Sequence, residues 1–237
     1  MKKKLGLAAF FVVAAAIAVS QSTGVGRGLW YPYYAALVGH RTHVEVLAEL
    51  APRYRSGLEA TLESFGISYP PERLTLVGLK QEKMLEVWAS DRSDWKLVRT
   101  YPVLAASGDL GPKLREGDLQ VPEGVYRLTE LNPRSSYHLS VRVDYPNSLD
   151  RAVAQRDGRT NLGGDIFIHG KAVSVGCVAI GDAAIEELYL ILADTGLHNT
   201  GLILAPSAEP KAATRSPAWV QELYDRLRDE LEVIRCC

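Results

Sequence analysis

The sequence predicts a mostly β domain of the α+β class, with curved mixed sheets around a groove and helical additions at both ends. Three observations support this fold class. Short extended segments separated by Gly- and Pro-containing turns fill the middle of the chain. A helical pattern begins near residue 43, and an amphipathic pattern follows near residue 219. The 237 residues, 47% of them hydrophobic, are enough to bury one full core.

The first residues carry a pattern typical of exported proteins. Lys2, Lys3 and Lys4 precede the apolar run LGLAAFFVVAAAIAV, which small polar residues follow. We expect residues 1–20 to be either a signal peptide or a membrane anchor, because the run is only slightly shorter than a spanning helix. The predicted location is therefore the periplasm or cell envelope, with membrane contact only through this N-terminal segment.

Charge and cysteine content exclude other classes. A formal net charge of −1, without a basic cluster that contains aromatic residues, disfavours nucleic acid as a partner. The three cysteines do not form a disulfide framework, since Cys236 and Cys237 are adjacent at the last positions and Cys177 has no evident structural partner. We therefore expect Cys177 to be a free thiol.

The ends of the chain are predicted to be helical. Residues 21–71 form an N-terminal helical segment, in which Pro52 predicts a break between two helices. Residues 206–237 form a C-terminal amphipathic helix and tail, with apolar residues near one helical face.

Between these additions, residues 72–205 are predicted to form the main domain. LTLVGLKQEKMLEVWA predicts a β-hairpin, and YHLSVRVDYP alternates so that His138 lies on the polar face of a strand. Residues 150–159 are predicted to form a charged loop, either a lid or a simple connection. AAIEELYLILADTG predicts a helix that Asp182 caps, and GLILAP a final short strand.

The segment DIFIHGKAVSVGCVAIGD, residues 165–182, carries the residues with the most chemical potential. His169 lies eight residues before Cys177, on neighbouring extended pieces joined by a short turn. A thiol is a useful nucleophile as its thiolate, and an adjacent imidazole can take the proton to give an ion pair. Gly176 would let a carbonyl substrate approach, so that amides around Gly176 and Cys177 point at a developing oxyanion. We predict Cys177 as nucleophile and His169 as base.

The elements His169-Gly170 and Ser174-Val175-Gly176-Cys177 resemble the catalytic signature of the L,D-transpeptidase (YkuD-type) family. The resemblance covers residues 72–205, which would be the L,D-transpeptidase-like catalytic domain. The family pattern has a longer insertion between His and Cys and usually an Arg two residues after the Cys, where this chain has Ala179. The compact form resembles the YafK-like murein L,D-transpeptidase branch.

The resemblance implies a role in cell-wall organization and cell shape, with peptidoglycan stem peptides as substrates and no cofactor or metal. Cys177 would attack the carbonyl after meso-diaminopimelate, and His169 would act as base and then acid. The acceptor stays open: an amine of a second stem or of a murein-linked lipoprotein gives a transpeptidase, and water gives an endopeptidase or amidase. Gly170 and Ser174 would support the site, with Ser174 orienting His169, bonding an intermediate or serving as an ordinary strand hydroxyl.

Four further residues are candidates for substrate binding. His138, Tyr137 and Arg134 would contact stem carboxylates if the polar strand face lines the groove, and Lys171 would meet an anionic substrate. For each of them an ordinary solvent-facing residue is the favoured interpretation.

Two other function classes compete with the enzyme. A metal site built from His169, Cys177 and His138 has suitable residue types but lacks HExxH or paired CxxC spacing. A non-catalytic cell-wall-binding module is disfavoured because the His, Gly and Cys of the signature are all present.

Overall fold

A computed structural model describes residues 41–92, 94–212 and 217–235. The described strands are β1 (Arg73–Leu79), β2 (Met84–Ser90), β3 (Lys96–Pro102), β4 (Ala105–Ala106), β5 (Gly124–Asn132), β6 (Ser140–Val143), β7 (Phe167–His169), β8 (Val178–Ala179) and β9 (Thr200–Ala205). They form a curled mixed sheet in the order β3-β2-β1-β9-β5-β6-β7-β8-β4. The helices are α1 (His43–Ser64), α2 (Ser148–Arg156), α3 (Asp182–Thr195) and α4 (Ala218–Arg235), with a short 3-10 turn at Leu197–Asn199. The predicted fold class is confirmed.

Strand β9 joins the two halves of the sheet. The predicted hairpin is confirmed as the antiparallel pair β1 and β2, with β3 at its outer edge. β9 runs parallel to β1 and antiparallel to β5, so the short strand that the sequence predicted occupies the centre of the sheet. The remaining strands, β5 to β8 and β4, form the half of the sheet that contains the candidate site.

Helix α1 is continuous, so the predicted break near Pro52 is wrong. Proline inside a helix costs about 3 kcal/mol. The residues that face the core lie on both sides of it and are buried: Val46, Leu50, Leu58 and Leu62. Burying each such side chain stabilises the fold by about 1.5–3 kcal/mol, which outweighs the proline penalty when all four share one face. A Thr42–Glu45 capping box also fixes the helix start.

Residues 150–159 contain most of helix α2, so the predicted loop is wrong. The Asn147 side chain accepts hydrogen bonds from the N–H groups of Leu149 and Asp150, and the Asp150 carboxylate accepts from the Asn147 N–H. This reciprocal pair is a capping box, and Val153 and Ala154 are buried behind it. The Asn-x-x-Asp spacing was a helix signal in a stretch whose charge suggested a loop.

Helix α3 begins one residue earlier than a cap at Asp182 requires. Its N-cap is Gly181, and Asp182 is the first helical residue. The Asp182 carboxylate accepts hydrogen bonds from the backbone N–H and the Nζ of Lys171, at 2.8 and 3.0 Å. The predicted end at Gly196 is confirmed.

Helix α4 is the predicted amphipathic helix, and it packs on the sheet through Leu223, Leu227 and Leu231. A buried polar contact also ties it to the sheet. Tyr224 donates a hydrogen bond of 2.5 Å to Glu123, which forms an ion pair of 3.0 Å with Lys80. The helix is therefore attached to the domain by apolar and polar contacts together.

Two predictions fall outside the described residues: the signal peptide or anchor at residues 1–20, and the role of Cys236 and Cys237. Of the helices in the described ranges, none has the length and apolar character that crossing a membrane requires.

Candidate functional site

The sheet register brings together the two segments that contain His169 and Cys177. β7 and β8 are parallel neighbours in which His169 pairs with Ala179. Cys177 comes two residues before Ala179, and alternate residues of a strand share a face. We expect this alternation to continue one residue beyond β8, which would place the thiol on the side of the sheet from which the imidazole extends.

His169 is fixed as a neutral imidazole with one definite tautomer. The side chain is only 2% exposed, and burial lowers its pKa. Nδ1 lies 2.6 Å from the Gly170 carbonyl oxygen, which only accepts, so Nδ1 carries the proton. The Tyr137 ring stacks on the imidazole with 4.6 Å between centroids. Nε2 is therefore the nitrogen with a lone pair available to accept a proton.

The Cys177 thiol is partly exposed and protonated at neutral pH. Burial raises the pKa of the thiol, and the Phe167 N–H that faces the sulfur opposes this shift. The thiol donates a hydrogen bond of 3.6 Å to the Asp165 carbonyl. Since burial also disfavours the imidazolium of His169, the pKa directions of both groups favour a neutral pair over the ion pair expected from the sequence. The pair begins as thiol and neutral imidazole.

A network of serine hydroxyls shapes the loop before Cys177. The Gly176 N–H donates a hydrogen bond of 2.6 Å to Ser107 Oγ. Ser174 Oγ donates a hydrogen bond of 2.6 Å to the Cys177 carbonyl oxygen. The two hydroxyls also lie 3.2 Å apart. Gly176 needs its φ of +94° to make this turn, which favours glycine there.

Two sequence-based roles are corrected by this network. The Gly176 N–H is bound to Ser107 and does not point at an oxyanion, and Ser174 holds the Cys177 carbonyl instead of orienting His169. Among the described residues, the Cys177 N–H has no hydrogen-bond partner.

Gly170 stands where two segments approach too closely for a side chain. A Cβ at this position would lie 2.6 Å from an Asp182 carboxylate oxygen and 2.7 Å from the Tyr137 carbonyl oxygen. Lys171 follows with a φ of +61° and is bound to Asp182 through its backbone N–H and Nζ. In this structure Lys171 therefore pairs with the protein rather than standing free for an anion.

The side chains of His138 and Tyr137 contact other residues of the protein: His138 contacts Glu186, and Tyr137 contacts His169. His138 precedes β6, has a φ of +78° and places Nε2 2.7 Å from Glu186 of helix α3. The predicted position on the polar strand face is therefore wrong. Arg134 is exposed in the preceding turn, where its N–H donates to Asn132 Oδ1 at 2.9 Å.

Sequence reasoning missed two residues of the site, Ser107 and Glu186. Ser107 reaches the loop from 69 positions away in the chain, so no local motif contains both. Glu186 reads as a polar residue of an amphipathic helix but is only 7% exposed. The sequence feature that could have indicated this burial is the helical spacing, which places Glu186 beside apolar residues.

A groove of about 550 Å³ borders the serine network. Its lining includes Lys83, Leu104, Ala105, Ala106, Ser107 and Ser174. No group of three His, Cys, Asp or Glu side chains within the described ranges converges as a metal site would require. His138, proposed above as one ligand of such a site, is instead bound to Glu186.

The fold and site together define a mostly β domain in which one histidine ends a strand and one cysteine immediately precedes the parallel neighbouring strand. The chain belongs to the L,D-transpeptidase catalytic domain (YkuD) family, whose model matches residues 72–199. The resemblance inferred from the signature is thereby confirmed.

The curated relatives are Escherichia coli proteins. The chain is 34% identical to YafK of strain K12, provisionally named an L,D-transpeptidase, over 112 residues. The match covers 46% of this chain and 43% of YafK. The protein of strain O157:H7 gives the same values. The chain thus matches less than half the length of these relatives.

Similar folds occur among solved structures. The helical cell shape determining protein Pgp2 from Campylobacter jejuni is 24% identical with a TM-score of 0.48, covering 64% of this chain and 52% of Pgp2. Bd1075 of Bdellovibrio bacteriovorus is 22% identical with a TM-score of 0.43, covering 67% and 54%. L,D-transpeptidase 1 of Mycobacterium tuberculosis is 17% identical with a TM-score of 0.32, covering 56% and 61%.

Proposed function

We propose that the chain is an exported L,D-transpeptidase that acts on peptidoglycan stem peptides, with Cys177 as nucleophile and His169 as base. The observation that best supports the proposal is the parallel pairing of β7 and β8, in which His169 lies beside Ala179, two residues after Cys177. The Gly170 carbonyl accepts from Nδ1, so Nε2 has the lone pair that can accept a proton. Family membership supports the reaction class. The apolar run in residues 1–20 would direct export to the periplasm or cell envelope.

In the first half-reaction, the Cys177 sulfur attacks the carbonyl carbon that follows meso-diaminopimelate. The thiol proton passes to His169 Nε2 as the C–S bond forms, because both groups begin neutral. The C–N bond to the terminal D-amino acid then breaks, and the imidazolium gives its proton to the leaving amine. A thioester remains on Cys177.

In the second half-reaction, an acceptor attacks the thioester carbonyl. An amine of another stem loses its proton to His169, the C–S bond breaks, and the departing sulfur recovers the proton from the imidazolium. A protein amine of a murein-linked lipoprotein would follow the same steps. Water in place of the amine would give hydrolysis, so the identity of the acceptor decides between transferase and hydrolase.

The proposed oxyanion donor is the Cys177 N–H. The serine network fixes the peptide around Cys177, because Ser174 holds its carbonyl and Ser107 holds the preceding N–H. A donor held in place before the reaction stabilises the developing charge without reorganisation; one such donor typically contributes about 10²–10³ in kcat. The groove beside Ser107 and Ser174 borders this loop, although its lining includes neither Cys177 nor His169.

The decisive experiment uses mass spectrometry of a defined disaccharide tetrapeptide incubated with the full chain. Wild type is expected to release the terminal D-amino acid and to form a covalent adduct at Cys177. The Cys177→Ala variant should lose at least about 10⁴ in kcat and form no adduct, because the nucleophile is absent. Persistent turnover by this variant would contradict the proposal, and a wild type that binds murein without an adduct would identify a non-catalytic binding module.

The same assay separates the acceptors. Adding a second stem peptide should yield a cross-linked dimer whose mass equals both peptides minus the released amino acid. A tripeptide product alone, with the acceptor in excess, would instead assign the chain as a hydrolase.

A further inference from the structure

We infer that Glu186, held by helix α1, positions the catalytic base through His138 and Tyr137. These residues would act on the reaction without touching substrate. The inference rests on the proposed role of His169 and adds a use for α1, which lies outside the residues that match the family model.

The first contact joins α1 to Glu186. Tyr54 donates a hydrogen bond of 2.7 Å to Glu186 Oε2, and the guanidinium of Arg53 lies 2.8 Å from the same oxygen. Glu186 is 7% exposed. Although burial tends to raise its pKa, hydrogen bonds from Tyr54 and His138 bring the pKa below its usual value. A buried carboxylate with this set of partners has little freedom to move.

The second contact joins Glu186 to a strained residue. His138 Nε2 lies 2.7 Å from Glu186 Oε1, and the His138 backbone has a φ of +78°. A non-glycine residue in this region costs about 1–2 kcal/mol and persists only where its surroundings hold it. The contact with Glu186 is the side-chain contact that holds this turn against α3.

The third contact joins the turn to the base. Tyr137, next to His138, stacks on the His169 ring with centroids 4.6 Å apart and planes inclined by 33°. The backbone of the turn also packs against Gly170. A Cβ added to Gly170 would lie 2.7 Å from the Tyr137 carbonyl oxygen and 3.1 Å from the His138 Cβ. Because these segments touch without spare room, a shift of His138 is transmitted to the imidazole.

A second cluster of the same chemistry provides a control. At the other end of α3, the Asp194 carboxylate accepts a hydrogen bond of 2.6 Å from the Tyr69 hydroxyl. It accepts a second hydrogen bond, of 2.8 Å, from the guanidinium of Arg55 in α1. This cluster also ties the N-terminal segment to α3 through a tyrosine, an arginine and a carboxylate. Its contacts do not include the His138 turn or β7, so its loss should affect stability alone.

The test compares Tyr54→Phe with Tyr69→Phe in the tetrapeptide assay. Each variant loses one tyrosine–carboxylate hydrogen bond, so both should lower Tm to a similar extent. We expect kcat to fall about three- to tenfold for Tyr54→Phe, with KM within twofold of wild type, because small misplacement of a catalytic group acts on kcat. Tyr69→Phe should retain the kcat of wild type. Equal kcat values for the two variants would overturn the inference.

Substitutions at Tyr137 test the last step of the path. Tyr137→Phe keeps the ring and should retain kcat within about twofold, whereas Tyr137→Leu removes the stack and should lower kcat about 10- to 100-fold at unchanged KM. Wild-type kcat in Tyr137→Leu would overturn the positioning role. A turnover by His169→Gln equal to wild type would instead overturn the proposed function, so the two failures are distinguishable.

Discussion

His169 and Cys177 lie in neighbouring segments of the sheet, but the protein holds them in different ways. His169 belongs to a strand, is almost fully buried and has its ring fixed by a backbone carbonyl and a stacked tyrosine. Cys177 lies just outside a strand, is partly exposed, and owes its position to two serine hydroxyls that hold the adjoining peptides. The proposed base is positioned by backbone register and packing, and the proposed nucleophile by side-chain hydrogen bonds to its neighbouring peptides.

This difference teaches which substitutions each residue can tolerate. Packing in a sheet interior is rigid, so a change in volume near His169 should displace it at once. A loop held by hydroxyls can keep its course when one hydrogen bond is lost, so single changes near Cys177 should act more gradually. The predictions below test this contrast.

The largest effect is expected for His169→Gln. Glutamine keeps a polar side chain but cannot act as a base at neutral pH, so kcat should fall by about 10²–10⁴. The control is His198→Gln, which changes an exposed histidine away from β7. Steady-state kinetics with the tetrapeptide measure both, and a kcat for His169→Gln within threefold of the control would contradict the role of the base.

Gly170→Ala should come next. The added Cβ meets carboxylate and carbonyl oxygens at 2.6 and 2.7 Å, so the turn beside His169 must shift. We expect a loss of about 1–3 kcal/mol in the free energy of unfolding and a decrease in kcat of about 10²-fold. Gly57→Ala is the matched control, because nothing lies within 4 Å of its Cβ and alanine favours its helix. Equal urea midpoints for the two variants would show that the packing at Gly170 is not rigid.

Ser107→Ala should have a smaller effect. It removes the acceptor of the Gly176 N–H, while Ser174 continues to hold the Cys177 carbonyl. We expect kcat to fall about tenfold, since the buried N–H loses a hydrogen bond worth about 1–2 kcal/mol. The exposed Ser64, changed to alanine, is the control. A loss as large as that of Gly170→Ala would show that the loop is as rigid as the strand.

The smallest effect concerns the unreacted thiol. Because burial raises the pKa of Cys177, its alkylation by iodoacetamide should accelerate with pH through pH 9 without a plateau near neutrality. In His169→Gln the alkylation rate at pH 7 should change less than about threefold, since the resting thiol is not paired with an imidazolium. A large drop in that rate would restore the ion pair expected from the sequence.

Much of the fold was predictable because its signals are local. The hairpin of β1 and β2 and the apolar face of α4 follow from periods of two and of about 3.6 residues. Helix α2 was missed because its charged residues outweighed a capping box that the sequence contains. The continuity of α1 through Pro52 was missed because tertiary burial, invisible in the sequence, outweighs a local penalty.

The residues of the candidate site also differ in whether a local sequence signal identifies them. The proposal of His169 and Cys177 came from a short motif, and the pairing of β7 with β8 brings the end of the first segment beside the start of the second. Ser107 and Glu186 were not predictable, because each acts on a residue distant in the chain. The sequence placed His138 and Tyr137 near the site but predicted the wrong contacts for them. The alternation of polar and apolar residues in a strand cannot predict a residue with positive φ, such as His138.

The central position of β9 also governs when the domain can become reactive. β9 pairs with β1 from Leu74 opposite Thr200, so the hairpin half joins the half that contains Cys177 only after residues 200–205 have docked. Pairing over such a separation is slow, because the chain must close a very long loop before the contacts form. Acyl-transfer competence should therefore emerge late, with the completed sheet, while a nascent chain that already contains both His169 and Cys177 still lacks the scaffold to align them.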